Sequence, residues 1–361
     1  MALDRITLST FRNHAATQLD ETRQINLLVG ENGAGKTNVL EALSLFAPGR
    51  GMRRAALQDM AGKAGNGGFA ASVSLHTGDG GEPVKLGTGM AADRPGRRVV
   101  QVNGAEATAI SLGEWLAMGW LTPAMDRLFV DSAGTRRRYM DRLAVALEPG
   151  HARAASRYEA ALRERNKLLS DEYEPDPAWL ESVEAQMAAA GAALAQGRAR
   201  LVGALTARLA ELPEAPFARP ALSYDPGGAL TQDGLVMQWK EERARDRAAQ
   251  RTLSGPHRDE LRVMMAGKAM PAAECSTGEQ KAMLVAITLA HAELAARGRP
   301  GVLLLDEVAA HLDPVRREAL FDRLRTSGTQ VWLTGTEPTP FDAILEEAAV
   351  WRVAGGAVER A

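Results

Sequence analysis

Ile25-Asn-Leu-Leu-Val-Gly-Glu-Asn-Gly-Ala-Gly-Lys-Thr-Asn-Val-Leu40 decides how this chain is read. The apolar run Ile25 to Val29 has the character of a buried strand and ends in a glycine-rich turn; helical spacing resumes from Asn38. That turn, Gly30-Glu31-Asn32-Gly33-Ala34-Gly35-Lys36-Thr37, fits G-x-x-x-x-G-K-[ST] in the strand–turn–helix context the motif requires. Its glycines allow unusual dihedrals, so backbone N–H groups can curl around phosphate oxygens. The start of the next helix adds a favourable dipole. The pattern predicts a nucleoside triphosphate site lined by residues 30–38, with Lys36 reaching the β- and γ-phosphates and Thr37 a ligand of Mg²⁺.

A complementary set stands near the other end of the chain. Val302-Leu-Leu-Leu305 is a buried strand that ends in Asp306-Glu307. Two carboxylates at the carboxyl end of such a strand lie where open α/β sheets bind ligands. Asp306 is expected to hold Mg²⁺, directly or through water, and Glu307 to orient and deprotonate the attacking water. Ser276-Thr-Gly-Glu-Gln280 precedes an apolar helix. Ser276 and Glu279 make a capping box, and a helix start of this kind is also a second anion site.

Between these motifs the character of the chain changes twice. Residues 62–104 are glycine-rich with short β-like runs, an antiparallel region. From about Thr135 the chain turns helical: His151–Leu169, then Trp179–Leu212 with apolar residues at Leu180, Val183, Met187, Leu194, Leu201, Leu205, Leu209 and Leu212. Pro175 and Pro177 separate the two, and the second reads either as one arm of a hairpin or as an ordinary helix on a domain core. After Arg251, α/β character returns. The expected division is 1–130 and 251–361 as two parts of one α/β unit, with 131–250 as a helical insertion. A formal net charge of −2 gives no global basic field, so any nucleic-acid contact must come from local clusters. The candidates are Arg50, Arg53 and Arg54; Arg94, Arg97 and Arg98; and Arg136, Arg137 and Arg138. Each cluster reads equally well as a solvated face. The single cysteine, Cys275, excludes an internal disulfide and suits a reducing cytosol. No apolar run has the length of a signal peptide or a membrane span, so a cytoplasmic protein is expected.

Taken together, the motifs resemble those of ABC ATPases. In that family the helix start at Ser276, Gly278 and Glu279 is the signature motif and contacts the γ-phosphate held by a partner subunit. His311-Leu-Asp313 resembles the D-loop that lies across such an interface. The resemblance implies an ATP-dependent head-to-tail homodimer with Ser276, Gly278, Glu279 and Asp313 acting in trans. A transporter ATPase is the alternative, but the interval from Lys36 to Ser276 is long for one. An SMC-like structural protein is another, but the helical insertion is short for it. The finer resemblance is to the RecF family. It rests on Phe11-Arg-Asn13, on Leu121-Thr-Pro123 followed by Gly134-Thr-Arg-Arg-Arg-Tyr-Met-Asp141, and above all on Gly255-Pro-His-Arg-Asp-Glu-Leu261. These segments run in the family's order over essentially the whole chain. The resemblance implies an ABC-type head with a mixed sheet, flanking helices and an antiparallel β region, plus an inserted helical arm. It also implies slow ATP hydrolysis, binding of single-stranded and gapped or duplex DNA, and work with RecR, RecO and RecA in repair and replication. It places Arg12 at the nucleotide. The chain departs from the pattern in four places. Ala124 follows Pro123 where the family commonly has Glu. Gly119 and Trp120 stand near the Q-loop glutamine, Thr334 or Thr336 near the switch histidine, and Ala310 at the D-loop serine.

Overall fold

The glycine-rich turn and the acidic pair are brought to one edge of one sheet. The computed structural model describes residues 2–361 except 64, 77–80, 214, 297, 310 and 311. Ala310 and His311 of the expected D-loop therefore lie outside the described residues. In chain order the first part holds β1 (Leu3–Phe11), β2 (His14–Leu19), β3 (Ile25–Val29), α1 (Lys36–Ser44), the short α2 (Leu57–Met60), β4 (Phe69–Leu75), β5 (Val84–Met90), β6 (Arg98–Val102) and β7 (Ala105–Glu106). Next come the short α3 (Leu112–Trp115), β8 (Ala117–Leu121), α4 (Ala133–Leu147), α5 (Gly150–Leu169), α6 (Pro177–Ala210), β9 (Pro220–Asp225) and α7 (Gln232–Ala248). The last part holds β10 (Glu260–Met265), β11 (Met270–Pro271), α8 (Thr277–Ala295), β12 (Gly301–Leu305), α9 (Pro314–Thr326), β13 (Gln330–Gly335), β14 (Ala349–Ala354) and β15 (Ala357–Arg360).

These elements fall into two units. The first comprises Met1–Asp126, Ala215–Phe217 and Leu284–Ala361; the second comprises Arg127–Glu214 and Ala218–Met283. The first unit carries two six-stranded sheets. One has the order β15-β14-β3-β13-β12-β8, with β14, β3, β13, β12 and β8 mutually parallel and β15 an antiparallel edge. Strands β3 and β12 are buried throughout, as continuous apolar runs in a sheet covered on both faces should be. The other sheet, β2-β1-β4-β5-β6-β7, is antiparallel. β4 alternates buried and exposed residues, the pattern of a sheet with one covered face. The antiparallel region read at 62–104 thus also recruits the first two strands of the chain. Trp332 and Trp351 stack in this unit's core with centroids 5.4 Å apart.

In the second unit α5 packs along α6 as a hairpin. The predicted seam is buried at Leu180, Val183, Met187, Leu194, Leu201, Leu205 and Leu209, while Leu212 lies past the helix end and is half-buried. Pro177 occupies the first turn of α6 and Asp176 caps it, so the prolines start this helix as well as separating it from α5. A three-stranded antiparallel sheet, β11-β10-β9, completes the unit. Arg165 lies fully buried among these elements. It donates to Glu184 at 3.1 Å, Asp246 at 2.6 Å and Thr252 at 2.8 Å. Among the described residues no helix is long and apolar enough to cross a membrane.

Candidate nucleotide site

The loop after β3 closes on itself through the dihedrals that its glycines supply. Gly33 has φ 81° and Gly35 has φ 119°, both in the left-handed region. Gly30 passes so close to the Val353 carbonyl that a Cβ would stand 2.1 Å from its oxygen. His14, buried on β2, braces the loop: its Nε2 donates to the Gly35 carbonyl at 3.0 Å. Asn13 donates to the Ala34 carbonyl at 2.9 Å. Lys36 Nζ donates to the carbonyls of Gly30 at 2.6 Å and Glu31 at 2.9 Å. Burial lowers the Lys36 ammonium below the ordinary lysine value, and Glu307 and Asp306 oppose that shift by attraction.

Strand order explains how residues so far apart in the chain meet. β13 lies between β3 and β12, so the carboxyl ends of all three strands share one edge. There Thr37 Oγ1 donates to Asp306 Oδ1 at 2.9 Å. Thr334 Oγ1 donates to the same oxygen at 2.9 Å and accepts from the Glu307 amide at 2.9 Å. Burial raises the Asp306 carboxyl; the hydrogen bonds from Thr334 and Thr37 pull it back, Glu307 raises it further, and the positive charge of Arg53 lowers it. Glu307 turns out of the strand with φ 54°, an uncommon conformation for a non-glycine residue. Hard oxygen donors from Thr37 and Asp306, already converging at one point, suit a small divalent cation such as Mg²⁺.

Next to the loop lies a cavity of 680 Å³, lined in part by Arg12, Asn13, His14, Asn38, Arg53 and Lys63. Its wall is held by Glu41, a carboxylate of α1 that is fully buried. Arg12 grips it at two points, 2.9 and 2.7 Å, and also donates to the Asp59 carbonyl at 2.7 Å. Arg53 donates through Nη1 to Glu41 at 3.0 Å and to Asn38 Oδ1 at 2.7 Å. Glu41 escapes sequence reading because a charge on an apolar helix normally marks its solvated face. Its partners come from other segments.

Arg53, though exposed, is held by Glu41 and Asn38 of α1 at the edge of this cavity. Arg98 is pinned to Thr88 Oγ1 and to the carbonyls of Leu45 and Gly49, with its pKa brought down to about 10 by burial. Arg136 is held by Glu260 through two hydrogen bonds of 2.7 Å. Thr334 lies inside β13 as a buried partner of Asp306, so it does not follow the strand; Thr336 does, and is exposed. Gly119 and Trp120 lie within β8, short of its carboxyl end.

Ser276 and Gly278 belong to the second unit and are exposed. The capping box forms: the Ser276 amide and hydroxyl donate to Glu279 Oε2 at 2.9 and 2.8 Å. Lys268 donates to the other oxygen at 2.5 Å, and these partners hold the Glu279 carboxyl down at about 2. Asp313, in the first unit and exposed, caps α9 by accepting from the Arg316 amide at 3.0 Å.

The chain matches the RecF/RecN/SMC N-terminal domain family over residues 2–353. It is 46% identical to a protein of Mesorhizobium japonicum named DNA replication and repair protein RecF, over 99% of this chain and 97% of that one. A protein of Rhizobium etli with the same name is 44% identical over 99% of this chain and 98% of that one. The chain belongs to the RecF family. Its fold is similar to that of a solved RecF–ATP structure described as a recombination mediator in the RecFOR pathway, with a TM-score of 0.87 at 22% identity, covering 100% of this chain and 97% of that chain. The RecF-type fold thus places the glycine-rich loop and the acidic pair of this chain on one sheet edge.

Proposed function

We propose that this chain is an ATP-dependent DNA-binding protein of recombinational repair and replication-gap processing. ATP closes two copies head to tail on DNA, and slow hydrolysis to ADP and phosphate releases them. The observation that carries this reading is the meeting of Thr37, Asp306 and Thr334 at the sheet edge, beside the loop that holds Lys36. In this reading the backbone of residues 30–38 cradles the phosphates and Lys36 leaves its loop carbonyls for the β- and γ-phosphate oxygens. Thr37 and Asp306 would hold Mg²⁺, which supplies charge neutralisation on the phosphates. Glu307 accepts the proton of the attacking water. Arg12 supports the wall of the nucleotide cavity. Exposure of Ser276 and Gly278 leaves that helix start open to a second copy, whose γ-phosphate it would contact together with Glu279 and Asp313. The helical unit serves as the arm. RecR, RecO and RecA are the partners, in keeping with the family's RecFOR pathway, and the cytoplasm is the site of action.

The test is anisotropy of a labelled gapped duplex titrated with the chain. With ATP and Mg²⁺, binding is expected and should weaken steeply as salt rises, because the contacts are to phosphates. Lys36→Ala should lose the ATP-dependent part. ATP-dependent binding that a neutral polymer matched would contradict the reading.

A further inference from the structure

The Gly255-Pro-His-Arg-Asp-Glu-Leu261 segment plays no part in the site above, yet nearly all of its residues are fastened to the second unit. Gly255 has φ 118°, and a Cβ there would stand 2.9 Å from Trp239 and 3.0 Å from the Tyr158 hydroxyl. The Pro256 carbonyl accepts from Arg198 at 2.6 Å. His257 Nε2 faces the Thr252 carbonyl at 3.0 Å, so it carries the proton; Nδ1 then accepts from Tyr158 Oη at 2.8 Å. Asp259 is buried and accepts from Arg198 at 2.8 Å, the Gly227 amide at 2.7 Å and the Tyr224 hydroxyl. Its carbonyl accepts from Arg137 at 2.8 Å. Glu260 is paired with Arg136, and Leu261 is buried.

One side chain of the seven is left over. Arg258 is exposed and, among the described residues, makes no side-chain hydrogen bond or ion pair. Its stem rests where Gly227 leaves room: a Cβ on Gly227 would stand 2.5 Å from that of Arg258. Arg136, Arg137 and Arg198 are engaged around this turn by Glu260, by the Asp259 carbonyl, and by Asp141 and Asp259, while Glu242 accepts from the Ser254 hydroxyl beside it. Burial lowers the Arg137 guanidinium, with Arg198 and Arg258 adding to the shift and Glu260 and Asp259 opposing it; burial lowers His257 to about 4, the bond to the Thr252 carbonyl opposing and Arg258 and Arg137 adding. A turn that fastens its other residues inward and projects one exposed arginine is a preorganised anion contact.

We propose that Arg258, supported by the charge of Arg137, contacts a phosphate group supplied by the DNA backbone or by the nucleotide of a second copy. This rests on the function proposed above and assigns it a contact in the second unit. The experiment compares the full chain with Arg258→Gln and Arg258→Lys. Duplex DNA binding with ATP is measured across a salt series, and ATP-driven dimerisation is measured by sedimentation without DNA. Melting temperature should not change, since the side chain holds nothing inside the fold. If DNA supplies the phosphate, Arg258→Gln weakens DNA binding by about tenfold and flattens the salt slope by about 0.9, while Arg258→Lys keeps the slope. If the nucleotide supplies it, Arg258→Gln raises the ATP concentration needed for dimerisation by about tenfold and leaves the salt slope alone. A wild-type chain that binds DNA and dimerises, with Arg258→Gln indistinguishable in both assays, overturns this proposal alone. A wild-type chain that binds neither ATP nor DNA overturns the proposed function and this contact with it.

Discussion

Asp306 sits where burial and metal binding pull in opposite directions. Its carboxyl is held above the usual range chiefly by burial, so ionisation costs the nucleotide-free fold. For an acid shifted upward, that cost is absent at low pH and grows as pH rises through the folded value. Asp306→Asn keeps an oxygen to accept from Thr37 and Thr334 but removes the charge. Its nucleotide-free melting temperature should rise by about 1–3 °C, and the further stabilisation by ATP with Mg²⁺ should vanish; calorimetry with and without nucleotide checks both. Thr334→Val tests the adjoining link. It strips the hydrogen bond to Asp306 and leaves the Glu307 amide without its acceptor. Steady-state hydrolysis is expected to fall about tenfold or more, while equilibrium ATP binding stays within about threefold. The glycine loop was readable in sequence because its geometry is local: Gly33 and Gly35 sit where positive φ is needed. Thr334 was marked only by its place near the missing switch histidine; its bond to Asp306 was not readable, because a threonine ending Gln-Val-Trp-Leu-Thr reads simply as a strand former.

At the scale of elements, the second unit depends on buried polar groups that tie segments distant in sequence. Arg165 on α5 meets Glu184 on α6 and Asp246 on α7, with side chains of all three essentially buried. Arg165→Met leaves Asp246 buried without its cation and should destabilise this unit by about 3–5 kcal/mol, seen as a lower urea midpoint in tryptophan fluorescence. His257 gives the unit a pH dependence. Its folded pKa of about 4 lies below the ordinary 6.5, so the neutral form is favoured by folding. That contribution is intact above pH 6.5 and is lost as pH falls toward 4, of the order of 3 kcal/mol in all. His257→Gln, which takes up no proton in that window, should show a flatter dependence of unfolding free energy on pH. Of the helices of this unit, α6 was legible from its three-four spacing. The pairing of β9 with β10 was not, since it joins Leu222 to Val263 across α7 and no periodicity reports such a distance.

For the whole molecule, local patterns disclosed more than assembly. The strand before the loop, the strand before Asp306 and the helices that follow them could each be read where they stand. The interposition of β13 between β3 and β12 could not, although it is what brings Thr37 to Asp306. Nor could the use of Glu41 to hold Arg12 and Arg53, since a carboxylate is buried only when its partners arrive from other segments. Both sets of motifs matter together only if the triphosphate held in one copy is completed by the serine-led helix of another. Sedimentation of Glu307→Gln at saturating ATP and Mg²⁺ tests that claim most directly, because this change should spare binding and stop water activation. A stable dimer is expected with ATP and a monomer with ADP; a monomer under both conditions, with ATP demonstrably bound, would rule out a site completed by a second copy.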